Sequence, residues 1–360
     1  MVEDELLQNP FMTTYSKIPA DSYIPTEQVE EIVENFRYDK PTESVYKITG
    51  VRGSGKTVLL AKVEDEIGSF EDDKWYIYRI SPARDMLKQL LAEMADDFLP
   101  QNNKKRDRIN GVTLPATVMG TGGAIGLSKS KDDIYFDAGV EIEKFLEKAQ
   151  KLNKKILIGI DEISKNSDVV TFVSEFGKWL RADYPIYLVC TGLYENIEQL
   201  YNVPNLTFFR RATTVQTCQL NLIKMTEMYR KRLGIDTSEA KKMADFTCGY
   251  AYAFQELGVL KFKHREYSDE ELVSDLKTEL YAYAYEKIWE ELSEGDRELV
   301  RLLTNEPEYK KSDIVNRMKK PTNYPVYRDR LLRRGIIKKR QGYIGLVLPY
   351  FGDYINEYNK

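Results

Sequence analysis

The sequence has 360 residues but contains only one histidine, His264, and three cysteines, Cys190, Cys218 and Cys248. A metal site with two histidine ligands is therefore excluded. The cysteines are odd in number and lie far apart, so they favour neither a disulfide framework nor a cysteine-based zinc site. His264 lies in a stretch rich in lysine and arginine, and we interpret it as a surface residue of a helix rather than a catalytic base.

Long hydrophobic runs are also absent. No apolar stretch approaches the roughly 18 residues that a membrane-spanning helix needs, and the first five residues, MVEDE, are acidic where a signal peptide would be basic. We therefore expect a cytoplasmic protein with no membrane partner. Hydrophobic residues make up 42% and charged residues 31% of the chain, which is typical of a folded globular protein long enough for two or three domains.

One short motif is present in full. Residues Gly50 to Thr57, GVRGSGKT, match the phosphate-binding loop G-x-x-x-x-G-K-[ST]. The run 44–49 before it is typical of a strand, and the apolar spacing from Thr57 to Ile67 indicates a helix, so a chance glycine-rich turn is the weaker interpretation. We expect Lys56 to reach the β- and γ-phosphates of ATP and the Thr57 hydroxyl to ligate Mg²⁺. The other expected nucleotide contacts are Gly50, Val51, Arg52, Gly53, Ser54 and Gly55.

The chain divides into segments by its composition and periodicity. An N-terminal segment, 1–43, includes a helix near 26–36, and residues 44–218 alternate apolar runs with helical stretches. Continuous apolar strands between helices predict an α/β domain with a parallel sheet. A glycine-rich insertion interrupts this domain at about 101–137, and residues 219–290 are predicted to be helical. The predicted strands are 44–49, 75–80, 155–160, 185–190 and 206–210, and the predicted helices between them are 84–98, 138–152 and 168–182.

Candidate catalytic residues follow the predicted strands. Asp161 and Glu162 end the apolar run 155–160, where Asp161 would hold Mg²⁺ and Glu162 would polarise the attacking water, unless both are merely solvated acids. Thr191 follows the next strand and either hydrogen-bonds the γ-phosphate or water, or only starts a helix. Arg211 follows the predicted fifth strand. It either stabilises charge on the γ-phosphoryl group, in its own chain or a neighbour, or satisfies backbone carbonyls.

The last segment, 291–360, predicts three short helices and a β-hairpin, the arrangement of a winged helix-turn-helix. From Tyr309 to Gln341 there are twelve Lys or Arg residues against two acids, a local charge of +10. The alternatives are that these cations contact duplex DNA, or that they only solvate a small domain or pair with the acidic remainder. In the DNA interpretation Arg330 and Arg333 face the major groove from a helix that starts at Pro325. The hairpin tip would contact phosphates through Lys338, Lys339 and Arg340.

These features together resemble the AAA+ ATPases of the prokaryotic "archaeal ATPase" and origin-recognition-like group. The resemblance rests on the phosphate loop, Asp161-Glu162, Thr191-Gly192, Arg211-Ala212 and the C-terminal segment. Further matching stretches are Asn9-Pro10-Phe11, Gly249-Tyr250-Ala251-Tyr252, Gln255 to Gly258 and Val326 to Leu331. Two positions depart from the group's pattern. Pro25-Thr26 stands where Gly-Arg is frequent, and the 249–252 motif has alanine in place of proline, with no sensor-2 arginine.

The resemblance implies a P-loop NTPase domain of the AAA+ type, followed by a helical lid and a winged helix. It assigns Walker A roles to Lys56 and Thr57, Walker B roles to Asp161 and Glu162, sensor 1 to Thr191 and the arginine finger to Arg211. The function expected is Mg²⁺-dependent hydrolysis of ATP to ADP, with the nucleotide state controlling a DNA-binding winged helix. The alternative is a signalling-type nucleotide switch whose winged helix contacts protein. A homo-oligomer or another protein partner is left open.

Overall fold

The computed structural model describes residues 8–14, 18–71, 74–99, 137–204 and 206–359. The glycine-rich insertion predicted at 101–137 lies outside these ranges, except for Asp137. The first half of the chain contains a five-stranded sheet in the order β2-β3-β4-β1-β5, with every adjacent pair parallel. Its strands are β1 (Val45–Thr49), β2 (Trp75–Arg79), β3 (Lys155–Ile160), β4 (Ile186–Gly192) and β5 (Thr213–Gln216).

Helices cover both faces of this sheet, which explains why β1, β3 and β4 are buried along their whole length. One core packs five helices against the sheet and the other core packs two. Side chains of Asp85, Asp137 and Asn166 accept hydrogen bonds from the first turns of three of the helices and fix where these begin. The helices are α1 (Glu27–Arg37), α2 (Lys56–Gly68), α3 (Met86–Phe98), α4 (Ala138–Lys151), α5 (Ser167–Arg181) and α6 (Tyr194–Tyr201).

The predicted strand at 206–210 is wrong. Those residues lie in a short helix, α7 (Thr207–Arg211), and the fifth strand is β5, which starts two residues later. A short aromatic run does not distinguish a strand from a buried helical turn. Here Phe209 is buried in the core of the sheet domain and Phe208 packs against Gly177 of α5. Arg211 therefore precedes the fifth strand instead of following it.

Residues 222–290, here called the helical domain, continue the chain with five helices and one π-helical turn, Tyr281–Tyr285. Tyr281 and Tyr285 of this turn serve as packing residues. Their rings lie 5.2 Å from Tyr354 and 5.0 Å from Phe351. The helices are α8 (Leu222–Leu233), α9 (Thr237–Phe246), α10 (Ala251–Lys263), α11 (Asp269–Leu280) and α12 (Glu286–Glu290).

Residues 291–359, the C-terminal domain, combine helices with a small antiparallel sheet in the order β6-β8-β7. Ser293 and Asp296 form a capping box at the start of the first helix, and Gly335 ends the third helix with φ of +76°. Residues 338–340, which were predicted to form the hairpin tip, lie within a strand instead, and only Gln341 and Gly342 form the turn. The elements are α13 (Glu294–Arg301), β6 (Tyr309–Lys310), α14 (Lys311–Arg317), α15 (Tyr324–Arg334), β7 (Ile337–Arg340), β8 (Tyr343–Leu346) and α16 (Phe351–Tyr358).

The helical and C-terminal domains share one continuous hydrophobic core, which runs from Met225 to Ile355. The N-terminal segment joins this core through Phe11, whose ring lies 5.4 Å from Tyr229 and 5.6 Å from Phe254. The Asn9-Pro10-Phe11 stretch thus anchors the start of the described chain to the helical domain. Across the ranges that the structure describes, no helix combines the length and the hydropathy of a membrane span.

Candidate functional site

The loop Gly50–Gly55 connects β1 to α2, and its three glycines are required for different reasons. Gly53 and Gly55 have φ of +74° and +87°, a left-handed backbone that side chains disfavour. Gly50 has no room for a side chain, because a Cβ there would lie 1.9 Å from the Thr217 hydroxyl. The same Thr217 hydroxyl donates to Ser54 Oγ at 2.8 Å. The end of β5 therefore holds the loop from outside.

The concave side of the loop is suited to an anion. Gly55 precedes α2 without a side-chain cap, so the first N–H groups of this thirteen-residue helix have no capping acceptor. The Lys56 ammonium donates to the carbonyls of Gly50 and Val51 at 3.1 and 3.0 Å, which uses two of its three donors. Burial lowers the pKa of Lys56 to about 8, although the nearby carboxylates of Glu162 and Asp161 act in the opposite direction.

Asp161 and Thr191 meet Thr57 at the carboxyl edge of the sheet. The Thr57 hydroxyl lies 2.9 and 3.1 Å from the two Asp161 carboxylate oxygens, and the Thr191 hydroxyl donates to Asp161 Oδ1 at 2.5 Å. Parallel pairing of β3 with β4 brings these residues together, since Ile160 lies opposite Cys190. Thr191 is fully buried, and in this structure its hydroxyl proton is committed to Asp161 rather than directed into the cavity.

Glu162 follows with a left-handed backbone, φ of +55°, which is unusual for a residue other than glycine. Its N–H donates to Thr191 Oγ1 at 2.9 Å, and the next N–H, of Ile163, donates to the Thr191 carbonyl at 2.7 Å. These bonds turn the chain at the strand end, and the exposed Glu162 lines the same cavity as Lys56. A strained turn with a carboxylate at the cavity wall is typical of a functional position.

The cavity has a volume of about 390 Å³ and continues from the phosphate loop to the N-terminal segment and the helical domain. Sequence reasoning missed this second half, which is lined by residues such as Tyr23, Ile24, Gln28 and Leu220. Within the described residues, three buried polar atoms of the lining have no hydrogen-bond partner, Thr26 Oγ1, Gln28 Oε1 and Arg52 Nε. Orphaned polar atoms around a cavity of this size fit a polar ligand.

The residues present also fit Mg²⁺. Hydroxyl and carboxylate oxygens are its preferred protein ligands, and it is generally held by few side chains together with substrate phosphates. Thr57 and Asp161 supply that combination next to the anion-binding loop. In the described part of the chain, no three His, Cys, Asp or Glu residues cluster into a separate metal cage.

Arg211 lies away from these residues. β5 runs parallel to β1, with Gln216 opposite the last strand residue before the loop, so Arg211 is at the far end of the sheet from its own phosphate loop. It is exposed, at the end of α7. The buried Lys47 ammonium donates to the α7 carbonyls of Phe209 and Arg210 at 2.7 and 3.4 Å, which fixes this helix end to β1.

The two arginines predicted to face a DNA groove are instead engaged within the chain. Arg330 donates to Asp296 at 2.9 and 2.7 Å and to the Ser293 hydroxyl at 2.6 Å, with Asp296 fully buried. Arg333 donates to the Tyr194 hydroxyl of α6 at 2.6 Å. Periodicity placed both on one helix face, but it could not show that this face meets α13 and the sheet domain. The basic side chains of β7 are exposed, namely Lys338, Lys339 and Arg340.

The end of α15 rests beside the phosphate loop. Gln216 donates to the carbonyls of Leu332 and Arg333 at 2.8 and 3.2 Å. Arg334 binds the Glu195 carboxylate and, at 3.2 Å, the Glu291 carbonyl. The C-terminal domain therefore contacts the sheet domain where the loop, α6 and β5 converge.

Comparison with known proteins shows the fold. Residues 282–355 match the family model described as Domain of unknown function (DUF8462), and no curated protein matches the sequence. The Walker-type ATPase PABY2304 of Pyrococcus abyssi is similar in structure, with a TM-score of 0.56 and 12% identity, covering 92% of this chain and 95% of that one. The Aeropyrum pernix ORC2 protein, solved as ADPNP-ADP complexes, is also similar in structure, with a TM-score of 0.52 and 13% identity. The match covers 93% of this chain and 95% of that one. The chain thus has the fold of the origin-recognition-type AAA+ ATPases, as predicted.

Proposed function

We propose that this protein binds ATP and hydrolyses it to ADP and phosphate with Mg²⁺. One observation carries the proposal. Lys56, Thr57 and Glu162 line one cavity beside an uncapped helix N-terminus, and Asp161 lies against the Thr57 hydroxyl at its wall, although the two pairs are about a hundred residues apart in sequence. The structural neighbours with Walker-type and ADPNP-bound descriptions support a nucleotide as the ligand.

The chain's own groups suggest the division of work. The loop N–H groups and the third donor of Lys56 bind phosphate oxygens, and Thr57 and Asp161 hold Mg²⁺. When bound, Mg²⁺ neutralises charge on the phosphates and so favours displacement of the terminal phosphoryl group. Glu162 orients and polarises the attacking water from the cavity wall. Thr191 contributes by fixing Asp161 and the Glu162 backbone in register.

We infer that Arg211 acts on the nucleotide site of a neighbouring copy. Its position at the opposite edge of the sheet removes its own phosphate loop from reach. A guanidinium supplied by a second subunit stabilises charge that develops during phosphoryl transfer. This proposal implies a homo-oligomer in the active state.

We further propose that residues 291–359 form a winged helix whose placement depends on the nucleotide. The first three of its four α-helices and the three-stranded antiparallel sheet support this assignment. The DNA contact is expected from the exposed Lys338, Lys339 and Arg340 of β7, with Arg333 joining only when it leaves Tyr194. The signalling alternative keeps its own support, because the contacts of Arg333 and Arg334 hold the C-terminal domain on the sheet domain.

ATP turnover measured with and without duplex DNA tests both parts. Stimulation or inhibition by duplex, lost in Lys339→Ala, is expected for the DNA-binding form. A Lys40→Ala variant removes an exposed cation outside the C-terminal domain and serves as the control. ATP turnover that is insensitive to duplex, together with no duplex binding at low salt, would leave the ATPase proposal standing and favour the protein-partner alternative.

A further inference from the structure

The helical domain contacts the phosphate loop through backbone carbonyls. The buried Tyr250 hydroxyl donates to the Arg52 carbonyl at 2.5 Å, and the Tyr252 N–H donates to the Gly53 carbonyl at 3.1 Å. The contact is close-packed, because a Cβ on Gly53 would lie 2.2 Å from the Tyr250 oxygen. Two consecutive carbonyls of the loop are thus held from the same side.

This arrangement determines where the loop N–H groups point. In a trans peptide the C=O and N–H of one planar unit face opposite ways. Fixing the Arg52 carbonyl toward Tyr250 therefore turns the Gly53 N–H away from the helical domain. Fixing the Gly53 carbonyl likewise sets the direction of the Ser54 N–H, which donates to the Val51 carbonyl at 3.2 Å. Glycine is conformationally free at this point, so bonds from outside are needed to keep one orientation.

The helical domain contributes no cation to the cavity within the described residues. Its side of the lining consists of neutral residues, namely Ala251, Tyr252, Phe254, Gln255 and Tyr283. Tyr252 also stacks on Tyr283 of the π-helical turn, with ring centroids 4.0 Å apart and planes inclined by 14°. The chain runs from that turn through α12 into the C-terminal domain. A change in loop conformation therefore meets the helical domain first at Tyr250 and Tyr252.

We propose that Tyr250 and Tyr252 are positioning residues that hold the phosphate loop in its anion-binding form, so that the helical domain senses loop occupancy through loop carbonyls and not through an arginine. This inference rests on the proposed nucleotide binding. Its consequence is specific. The loop contacts phosphates that ATP and ADP share, so loss of the Tyr250 hydroxyl weakens both nucleotides equally, raises KM and leaves kcat nearly unchanged.

The Tyr250→Phe variant removes the hydroxyl and keeps the ring. Affinities for ADP and for ATP with Mg²⁺, measured by isothermal titration at a temperature where the apo protein is folded, are expected to fall by roughly three- to tenfold. Tyr229→Phe is the matched control. Tyr229 is equally buried in the helical domain, and its hydroxyl donates to the Phe254 carbonyl at 2.6 Å without contacting the loop. Apo melting temperatures of the two variants show whether the fold is affected alike.

A double substitution tests the same contact from the loop side. Gly53→Ala alone places a methyl group against the Tyr250 oxygen, and Gly53→Ala with Tyr250→Phe removes that oxygen. The double variant is expected to bind ADP more tightly than Gly53→Ala alone, although the strain of alanine at positive φ persists.

The inference is overturned if Tyr250→Phe binds ADP as well as Tyr229→Phe does, or if the two substitutions act independently. A selective loss of ATP with ADP retained also contradicts it, since that would mean a contact sensitive to the terminal phosphate. Failure of the wild-type chain to bind either nucleotide is a different result, because it removes the proposed function itself.

Discussion

Arg330 provides a prediction that separates a structural role from a DNA-binding role. Its guanidinium supplies two charged hydrogen bonds to Asp296, which is fully buried. Removing one partner of a fully buried pair costs about 3–5 kcal/mol. Arg330 is 32% exposed, and Asp296 retains its bonds from Ser293 at 2.7 and 3.3 Å. Water and these bonds offset part of the loss, so we expect Arg330→Ala to destabilise the chain by about 2 kcal/mol.

Because the helical and C-terminal domains share one core, we expect the loss of stability in Arg330→Ala to affect the unfolding transition of both domains. A cost of about 2 kcal/mol lowers the melting temperature of a unit of this size by roughly 4–8 °C. Circular dichroism of Arg330→Ala and Lys339→Ala provides the comparison, since each substitution removes one cation from the same domain and only the first breaks a buried pair. An unchanged melting temperature in Arg330→Ala, combined with weaker binding of one preferred duplex sequence, would refute this assignment and restore the groove-facing prediction.

Three further predictions follow from the site and the sheet edge. Lys56→Ala should abolish tight ATP binding in titration calorimetry, whereas Lys144→Ala, which removes an exposed cation of α4, should bind ATP normally. ATP turnover per subunit should rise with protein concentration, and a mixture of Lys56→Ala and Arg211→Ala subunits should regain part of the wild-type turnover. Turnover per subunit that stays constant on dilution would contradict a role of Arg211 in a neighbouring site. Burial lowers the pKa of Lys47 from 10.5 to about 8. Between these two pH values the unfolded chain therefore binds more protons than the folded chain, and the free energy of unfolding should rise with pH by at most about 3 kcal/mol. Urea unfolding of Lys47→Met should show no such rise.

Local patterns were sufficient for the parts of the site that are contiguous in sequence. The phosphate loop, the apolar strand before Asp161 and the strand before Thr191 each carry their own signal, and parallel pairing then determines that they meet. These elements were predicted at nearly the bounds that the structure shows.

The errors and omissions involve contacts between distant segments. The aromatic run in α7 has no periodicity long enough to distinguish a helix from a strand. The face of α15 that carries Arg330 looks exposed until its partner Asp296 is known to be buried. Likewise the 249–252 motif gave no hint that the Tyr250 hydroxyl binds the loop, because one hydrogen bond across 198 residues leaves no local pattern.

We propose that one cavity both binds ATP and activates water through Glu162. Glu162→Gln keeps the shape of the side chain but cannot polarise water as a carboxylate does. Titration calorimetry with ATP and Mg²⁺, followed by phosphate release on the same preparation, measures the two functions separately. We predict wild-type affinity with most of the turnover lost. Wild-type turnover in Glu162→Gln would contradict the account, because the water would then be activated by a group other than Glu162.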